Sequence, residues 1–234
     1  MTDETLRWRG GWARLGSWRG RADVAYLSVG AEHPPTPEIV DRCLRLLRGR
    51  GYSAVVTSAL AAADALPFLD AGFSVRERLH LLAHAMGDLP QPEQSTRRAR
   101  KGDRPAVLEL DHLSFDGFWR LDADGLTNAI EATPSSRFRV ADGKDALLAY
   151  AVTGRAGHHG YLQRLAVHPG VRREGYGRSI VLDGLRWLRR HGATQALVNT
   201  QRDNAPALAL YESCGFRELP TGLCVMGRSL SQWR

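Results

Sequence analysis

The residues best suited to chemistry lie between positions 162 and 180, in the sequence LQRLAVHPGVRREGYGRSI. Gly175 and Gly177 let the backbone approach a ligand closely, and a segment with a helical period follows them. N–H groups at the start of a helix lack an acceptor within the helix and favour an anion. Arg172, Arg173 and Arg178 add positive charge around the same glycines. The segment therefore predicts an anion site, and a diphosphate would suit it.

Such a site needs a strand before the glycines and a helix after them. Residues 161–167 are β-type residues without a breaker, and Pro169 with Gly170 ends the run. In the helix that follows, one face is apolar and the other basic. The apolar face carries Val181, Leu185 and Leu188, the basic face carries Arg186, Arg189 and Arg190, and Gly192 ends the helix.

Two nucleotide-binding motifs can be excluded at this loop. The dinucleotide pattern G-x-G-x-x-G needs a glycine at position 180, where the chain has Ile180. The phosphate-binding pattern that ends in G-K-[ST] is absent from the loop as well. The loop is therefore not predicted to be a dinucleotide site or a phosphate-binding loop that ends in G-K-[ST].

A second motif follows the basic helix and a predicted strand at 193–200. It reads N-x-x-A-x-x-L-Y-x-x-x-G-F over residues 204–216, and the first motif reads R-x-x-G-x-G over residues 172–177. Together, in this order, the two motifs resemble the GNAT superfamily of acetyl-CoA-dependent N-acyltransferases. The resemblance covers the chain from about Arg104 to Leu230, and it implies an α/β fold with a mixed sheet.

The resemblance also implies a role for each matching residue. The backbone of Leu165, Ala166 and Val167 would line the pantetheine arm of coenzyme A. The loop around its diphosphate would consist of Arg172, Arg173, Glu174, Gly175, Tyr176, Gly177 and Arg178. Asn204 would contact the cofactor, cap its helix, or do both. Tyr211 would be the general acid that returns a proton to the departing thiolate, and residues 204, 208 and 211 share one helix face.

A general base is not apparent in the sequence. Relatives that acetylate protein N-termini often have a glutamate five residues before the motif asparagine, where this chain has Asn199. The titratable alternatives are Glu109, Asp111, His112, Glu131 and His168, and their spacing favours none of them. An α-amino group has a pKa near ~8 and a lysine near ~10.4, so an α-amine needs less help from a base. The sequence therefore slightly favours α-amines or small amines as acceptors.

Residues 1–90 show a shorter series of alternating elements. Strands are predicted at 23–29, 53–60 and 73–82, with a short helix at 61–72. Another helix begins at Thr36 and Pro37, with an apolar stripe of Ile39, Cys43, Leu46 and Leu47. The order resembles the C-terminal half of a GNAT unit without R-x-x-G-x-G. We expect a truncated GNAT-like domain that cannot hold coenzyme A in the usual way and that shapes the acceptor cleft.

The second domain is predicted at 104–234, after a linker at 91–103. Residues 87–104 are polar, contain two prolines and end in basic charge, which favours a solvated, flexible connector over a nucleic-acid contact. Past the linker, an aromatic patch at 115–119 precedes a short helix that Asp122 or Asp124 could cap. Three runs at hairpin spacing, 138–141, 146–154 and 160–167, predict an antiparallel meander.

The composition limits the possible partners. The formal net charge is +7, but only Lys101 and Lys144 are lysines among 32 basic residues, and these residues are scattered. Nucleic-acid binding is therefore not favoured. The three cysteines have no C-x-x-C spacing, so we expect neither a disulfide framework nor a metal site.

No membrane-spanning or secretory segment is predicted. The first residues carry arginines without an apolar core, and the apolar stretch at 58–68 is broken by Asp64 and Pro67. A cytoplasmic protein is expected. Two functions stay open, an N-acetyltransferase acting on a primary amine and a catalytically silent GNAT-fold module that binds acyl-CoA or a protein.

Overall fold

A computed structural model describes residues 4–31 and 34–231. The chain forms two units, one comprising Leu81–Leu219 and the other comprising Met1–His80 together with Pro220–Arg234. This division differs from the predicted boundaries at residues 90 and 104, because the last strand pairs with strands of the first unit. We call the unit with both chain ends unit 1 and the other unit 2.

Unit 1 combines a sheet with two helices. Its elements are β1 (Glu4–Trp8), β2 (Gly11–Ser17), β3 (Val24–Ala31), α1 (Pro37–Gly49), β4 (Ala54–Thr57), β5 (Leu60–Ala61), α2 (Ala62–Asp70), the first part of β6 (Ser74–His84) and β13 (Leu223–Ser229). The strand order is β1-β2-β3-β4-β13-β6, in which only β3 and β4 are parallel. The predicted alternation is confirmed, and the hairpin β1–β2 is an addition that the sequence reasoning missed.

Helix α1 faces the core with a broader stripe than the predicted one. Cys43 and Leu47 of the predicted stripe are buried, and Ile39 and Leu46 are partly buried and pack against the same core. Val40 and Leu44 are buried as well and were not predicted, because the helix is rotated so that their side chains also point inward.

Unit 2 holds the elements of the predicted second domain. They are β7 (Arg97–Arg98), α3 (Arg104–Ser114), α4 (Ala123–Glu131), β8 (Ser135–Asp142), β9 (Leu147–Ala156), β10 (His159–Val167), α5 (Tyr176–Arg190), β11 (Gln195–Gln201), α6 (Ala205–Ser213) and β12 (Arg217–Glu218). The strand order, starting from the end of β6, is β6-β11-β10-β9-β8-β7. The meander β8–β9–β10 is antiparallel, as predicted, and Asp122 caps α4 by accepting the Gly125 N–H at 2.7 Å.

Residues 87–96, which we call the strap, lie along α5. The guanidinium of Arg186 donates to the Leu89 carbonyl at 2.8 Å, and that of Arg189 donates to the Gly87 carbonyl at 2.9 Å. The Leu89 side chain is buried in the same core cluster as Val181 and Leu185 of α5. The segment predicted to be a flexible connector is therefore fixed to the helix that follows the glycine loop.

Within the described ranges, no helix is both long and apolar enough to cross a membrane.

Candidate active site

Strand β10 has one edge that is paired along its length and one that is not. Toward β9 the register continues to its end, with Leu165 opposite Ala151 and Val167 opposite Ala149. Toward β11 the parallel register stops at Tyr161. The two parallel strands separate there, so the backbone of 165–167 offers hydrogen-bonding groups to a ligand on that side.

The glycine loop leads from β10 into the first turn of α5. Gly175 is the N-cap residue and has a left-handed conformation with φ 85°, which favours glycine because a Cβ would be strained there. The Ser179 N–H donates to the Gly175 carbonyl at 2.9 Å. The N–H groups of residues 176–178 precede this first helical bond, so they have no acceptor within the helix and are available to an anion.

Close packing favours glycine at position 177. A Cβ at this position would lie 3.1 Å from Leu210 Cδ2 on α6 and 3.4 Å from Val167 Cγ2 on β10. The first turn of α5 therefore lies tightly against the strand that precedes it and against α6. This packing brings the loop and the second sequence motif together.

The three loop arginines have different surroundings. Arg172 and Arg173 are exposed, so their charge is free to act on a ligand beside the loop. Arg178 instead donates to the Ser213 carbonyl at the end of α6, at 2.5 Å. Its guanidinium thus holds α6 in addition to contributing charge near the loop.

Helix α6 carries the two candidate residues of the second motif. Asn204 is its N-cap, and its Oδ1 accepts the Ala207 N–H at 3.2 Å, which leaves the amide NH₂ to donate elsewhere. Tyr211 is buried, 6% exposed, beside Phe216. The pKa of Tyr211 is raised to about 12, mainly by burial. The neighbouring Cys214 thiol raises this pKa further, and the positive charge of Arg164 lowers it. The phenol is protonated at neutral pH, as an ordinary tyrosine is, and the rise makes it a weaker acid than a tyrosine in water.

A buried ion pair lies between α3 and β10. Asp111 is fully buried and accepts two hydrogen bonds from Arg164, at 2.7 and 2.9 Å. The same carboxylate accepts the Tyr150 hydroxyl and, at 2.8 Å, the Leu121 N–H. Burial raises the pKa of Tyr150, so its hydroxyl stays a donor.

Arg164 extends this network to residues 115–121, which we call the aromatic loop. Its guanidinium donates to the Trp119 carbonyl at 2.7 Å and lies over the Phe115 ring, 3.4 Å from the centroid. The loop is therefore held from β10, the strand whose free edge adjoins the glycine loop. Sequence reasoning missed this cluster, because its members come from distant segments with no shared motif.

The structure also shows the surroundings of the candidate bases. Asp111 is occupied by its ion pair and its other donors, so it has no lone pair directed to a substrate. His112 Nε2 contacts the Leu121 carbonyl at 2.8 Å, and His168 Nδ1 accepts the Gly170 N–H at 3.1 Å. The remaining candidates, Glu109 and Glu131, are exposed, as is Asn199 at the position where some relatives have a glutamate.

Comparison with known proteins agrees with this geometry. Residues 104–216 match the family described as Acetyltransferase (GNAT) family. The mycothiol acetyltransferase of Saccharopolyspora erythraea is 28% identical over 147 residues, which are 58% of this chain and 48% of that protein. The mycothiol acetyltransferase of Amycolatopsis mediterranei is 28% identical over 208 residues, which are 72% of this chain and 68% of that protein. The chain thus spans about half the length of the first relative.

The solved structures show the same fold. A tandem GNAT protein from the clavulanic acid biosynthesis pathway has a TM-score of 0.69 at 13% identity, covering 96% of this chain and 80% of that chain. At this identity the likeness concerns the fold alone. The predicted GNAT family and the mixed α/β GNAT fold are confirmed.

Proposed function

We propose that the chain transfers an acetyl group from acetyl-CoA to a primary amine. The observation that carries the proposal is the separation of β10 from β11 directly before the glycine loop. Coenzyme A has a pantetheine arm with amide groups and a diphosphate. A free strand edge suits the arm, and the start of α5 suits the diphosphate.

The residues that would hold acetyl-CoA are those of the two motifs. Backbone groups of Leu165, Ala166 and Val167 would pair with the pantetheine arm. The loop residues around the diphosphate would be Arg172, Arg173, Glu174, Gly175, Tyr176, Gly177 and Arg178, and the Asn204 amide would be a further donor. When bound, acetyl-CoA supplies an acetyl group activated as a thioester. A strand N–H within 165–167 would stabilise negative charge on the acetyl oxygen, as an oxyanion hole does.

Tyr211 would be the catalytic acid. Its hydroxyl carries a proton at neutral pH, as a phenol with a pKa of 10 or above does. It can therefore give that proton to the leaving thiolate and take one back from water afterwards. No cysteine is needed for this direct transfer, in agreement with the buried positions of Cys43, Cys214 and Cys224.

The acceptor would lose its proton without a dedicated carboxylate. Asp111 is committed to Arg164, and Asn199 cannot act as a base. An amine with a pKa near ~8 is partly neutral at physiological pH, whereas a lysine is almost fully charged. We therefore include in the proposal a small-molecule amine or a protein N-terminus as the acceptor, with the aromatic loop beside its cleft. The relatives named mycothiol acetyltransferases make small-molecule acceptors the first class to screen. We also propose that the protein is cytoplasmic.

Isothermal titration with acetyl-CoA tests the cofactor directly. The proposal fails if no heat of binding appears at millimolar acetyl-CoA. A thiol-release assay with a panel of amines then identifies the acceptor.

Tyr211→Phe should lower kcat about 10²- to 10⁴-fold while acetyl-CoA still binds, because only the proton donor is removed. Tyr26→Phe is the matched control, since it removes the hydroxyl of a half-buried tyrosine in unit 1 and should leave kcat unchanged.

A catalytically silent binding module is the second candidate. Asn199 favours it, because the chain has an amide where some relatives have a base. In that case acetyl-CoA would bind, no amine would be acetylated, and Tyr211→Phe would change neither property.

A further inference from the structure

The second half of the strap reaches the glycine loop. Ser179, in the first turn of α5, is 2% exposed, and its Oγ accepts the N–H groups of both Glu93, at 3.2 Å, and Gln94, at 2.9 Å. The Gln94 side-chain amide then donates to the Glu174 carbonyl at 3.0 Å. A Cβ added to Gly175 would lie 4.0 Å from the same amide nitrogen. The strap thus contacts the loop at the residue before the N-cap.

The contact at Glu174 fixes the direction of the next N–H group. A trans peptide is planar, so the C=O of Glu174 and the N–H of Gly175 point in opposite directions. Because Gln94 holds the carbonyl toward the strap, the Gly175 N–H points away from the strap. Gly175 has φ 85°, and a glycine at such a position allows this peptide to rotate at low cost. A side-chain donor on the carbonyl opposes that rotation.

We propose that Gln94 is a positioning residue for the coenzyme A site, with Ser179 as the anchor that holds Gln94 in place. The inference rests on the proposed function, because it assigns a diphosphate to the N–H groups that start with Gly175. The Gln94 side-chain amide donates to a backbone carbonyl of the loop and need not touch the ligand. It keeps the loop in the conformation that binds the diphosphate, so the ligand does not have to order it.

The rest of the strap has its own attachments. Leu89 is buried, and Arg186 and Arg189 hold the carbonyls of Leu89 and Gly87. Removing the Gln94 side chain therefore leaves the strap attached to α5. A change in ligand affinity would come from the loop and not from the loss of the fold.

The test is the affinity for coenzyme A of three purified full-length proteins, the wild type, Gln94→Ala and Ser95→Ala. Ser95 is the exposed neighbour of Gln94 on the same strap, so its variant is the matched control. Gln94→Ala should raise the Kd of coenzyme A and the KM of acetyl-CoA by about 2- to 10-fold, the value of one hydrogen bond. The kcat, the KM of the amine and the Tm without ligand should stay at wild-type values. Ser95→Ala should match the wild type in every measurement.

A second set of variants tests the anchor. Ser179→Ala removes the acceptor of two strap N–H groups and should also raise the Kd of coenzyme A, whereas Ser179→Thr keeps the hydroxyl and should restore much of the affinity. Gln94→Glu replaces the donor by a negative charge beside the loop. Its loss of affinity should exceed that of Gln94→Ala and should shrink at high salt.

The outcomes separate the two proposals. If the wild type binds coenzyme A and Gln94→Ala binds it equally well, the role of Gln94 is refuted and the proposed function stands. A lower Tm for Gln94→Ala with an unchanged Kd would likewise make the contact purely structural. If the wild type does not bind coenzyme A at millimolar concentration, the proposed function fails, and this inference fails with it.

Discussion

The buried pair of Asp111 and Arg164 allows a quantitative prediction about stability. Asp111→Asn keeps the shape of the side chain but removes the charge that balances a guanidinium whose side chain is only 10% exposed. The carboxylate accepts two bonds from Arg164, one from Tyr150 and one from the Leu121 N–H. The asparagine would turn an NH₂ group toward some of these donors. Breaking one partner of a buried ion pair costs about 3–5 kcal/mol, and we expect a loss in this range.

Replacing both partners should cost much less than the sum of the single losses. Asp111→Leu with Arg164→Met removes both charges and fills the space with apolar atoms, and such exchanges of buried pairs are often nearly neutral. The difference between this double variant and the sum of Asp111→Leu and Arg164→Met measured separately gives the coupling energy. Tyr150→Phe is a graded control, since it removes a single hydrogen bond to a charged group and should cost about 1.5–3 kcal/mol.

The assay is urea unfolding followed by circular dichroism, with the free energy taken from midpoint and slope. A loss below about 1 kcal/mol for Asp111→Asn, the upper range for exposed pairs, would show that the buried charge of Arg164 does not depend on Asp111. Additive losses in the double variant would also refute the predicted coupling, because they would show that the two charges do not depend on each other.

Two further predictions concern single side chains. Asn204→Asp keeps the oxygen that caps α6 but loses the NH₂ group, so it should preserve stability and weaken coenzyme A binding, whereas Asn204→Ala should also cost about 1 kcal/mol in urea unfolding. Equal affinity of wild type and Asn204→Asp would limit Asn204 to capping. Hydrogen bonds from Arg97 and from the Arg100 N–H hold the pKa of Asp103 down to about 2, below its usual value of 3.8. This stabilisation is present above pH 3.8 and is lost as the pH falls toward 2, so Asp103→Asn should flatten the decline of Tm in that window, and an unchanged acid limb would contradict the assignment.

The parts of the fold that follow from local sequence rules were predictable. Asp122 at the start of α4 and Gly192 after α5 have the expected capping and left-handed conformations. The meander was predicted because alternation and turn residues depend on neighbours along the chain. The glycine loop and the position of Tyr211 on a helix were predicted because the two motifs have fixed spacings.

The parts that depend on distant contacts were not predictable. Whether Val40 and Leu44 join the buried stripe of α1 depends on how the helix is rotated against the sheet, which a helical period alone does not fix. The strap has a polar, proline-containing sequence typical of a linker, and only its bonds to α5 distinguish it from one. In the sequence, Arg164 is one of many scattered arginines, and only the structure shows that it pairs with Asp111, 53 residues earlier.

The bond from Arg178 to the Ser213 carbonyl joins the beginning of one helix to the end of another. Arg178 lies in the turn where the diphosphate is proposed to bind, and Ser213 is two residues beyond Tyr211. Together with the packing of Gly177 against Leu210, this bond attaches the first turn of α5 to α6, the helix that carries Tyr211. The turn proposed to hold the diphosphate and the helix that carries the proposed acid are therefore directly connected, so a substitution at Arg178 would loosen both.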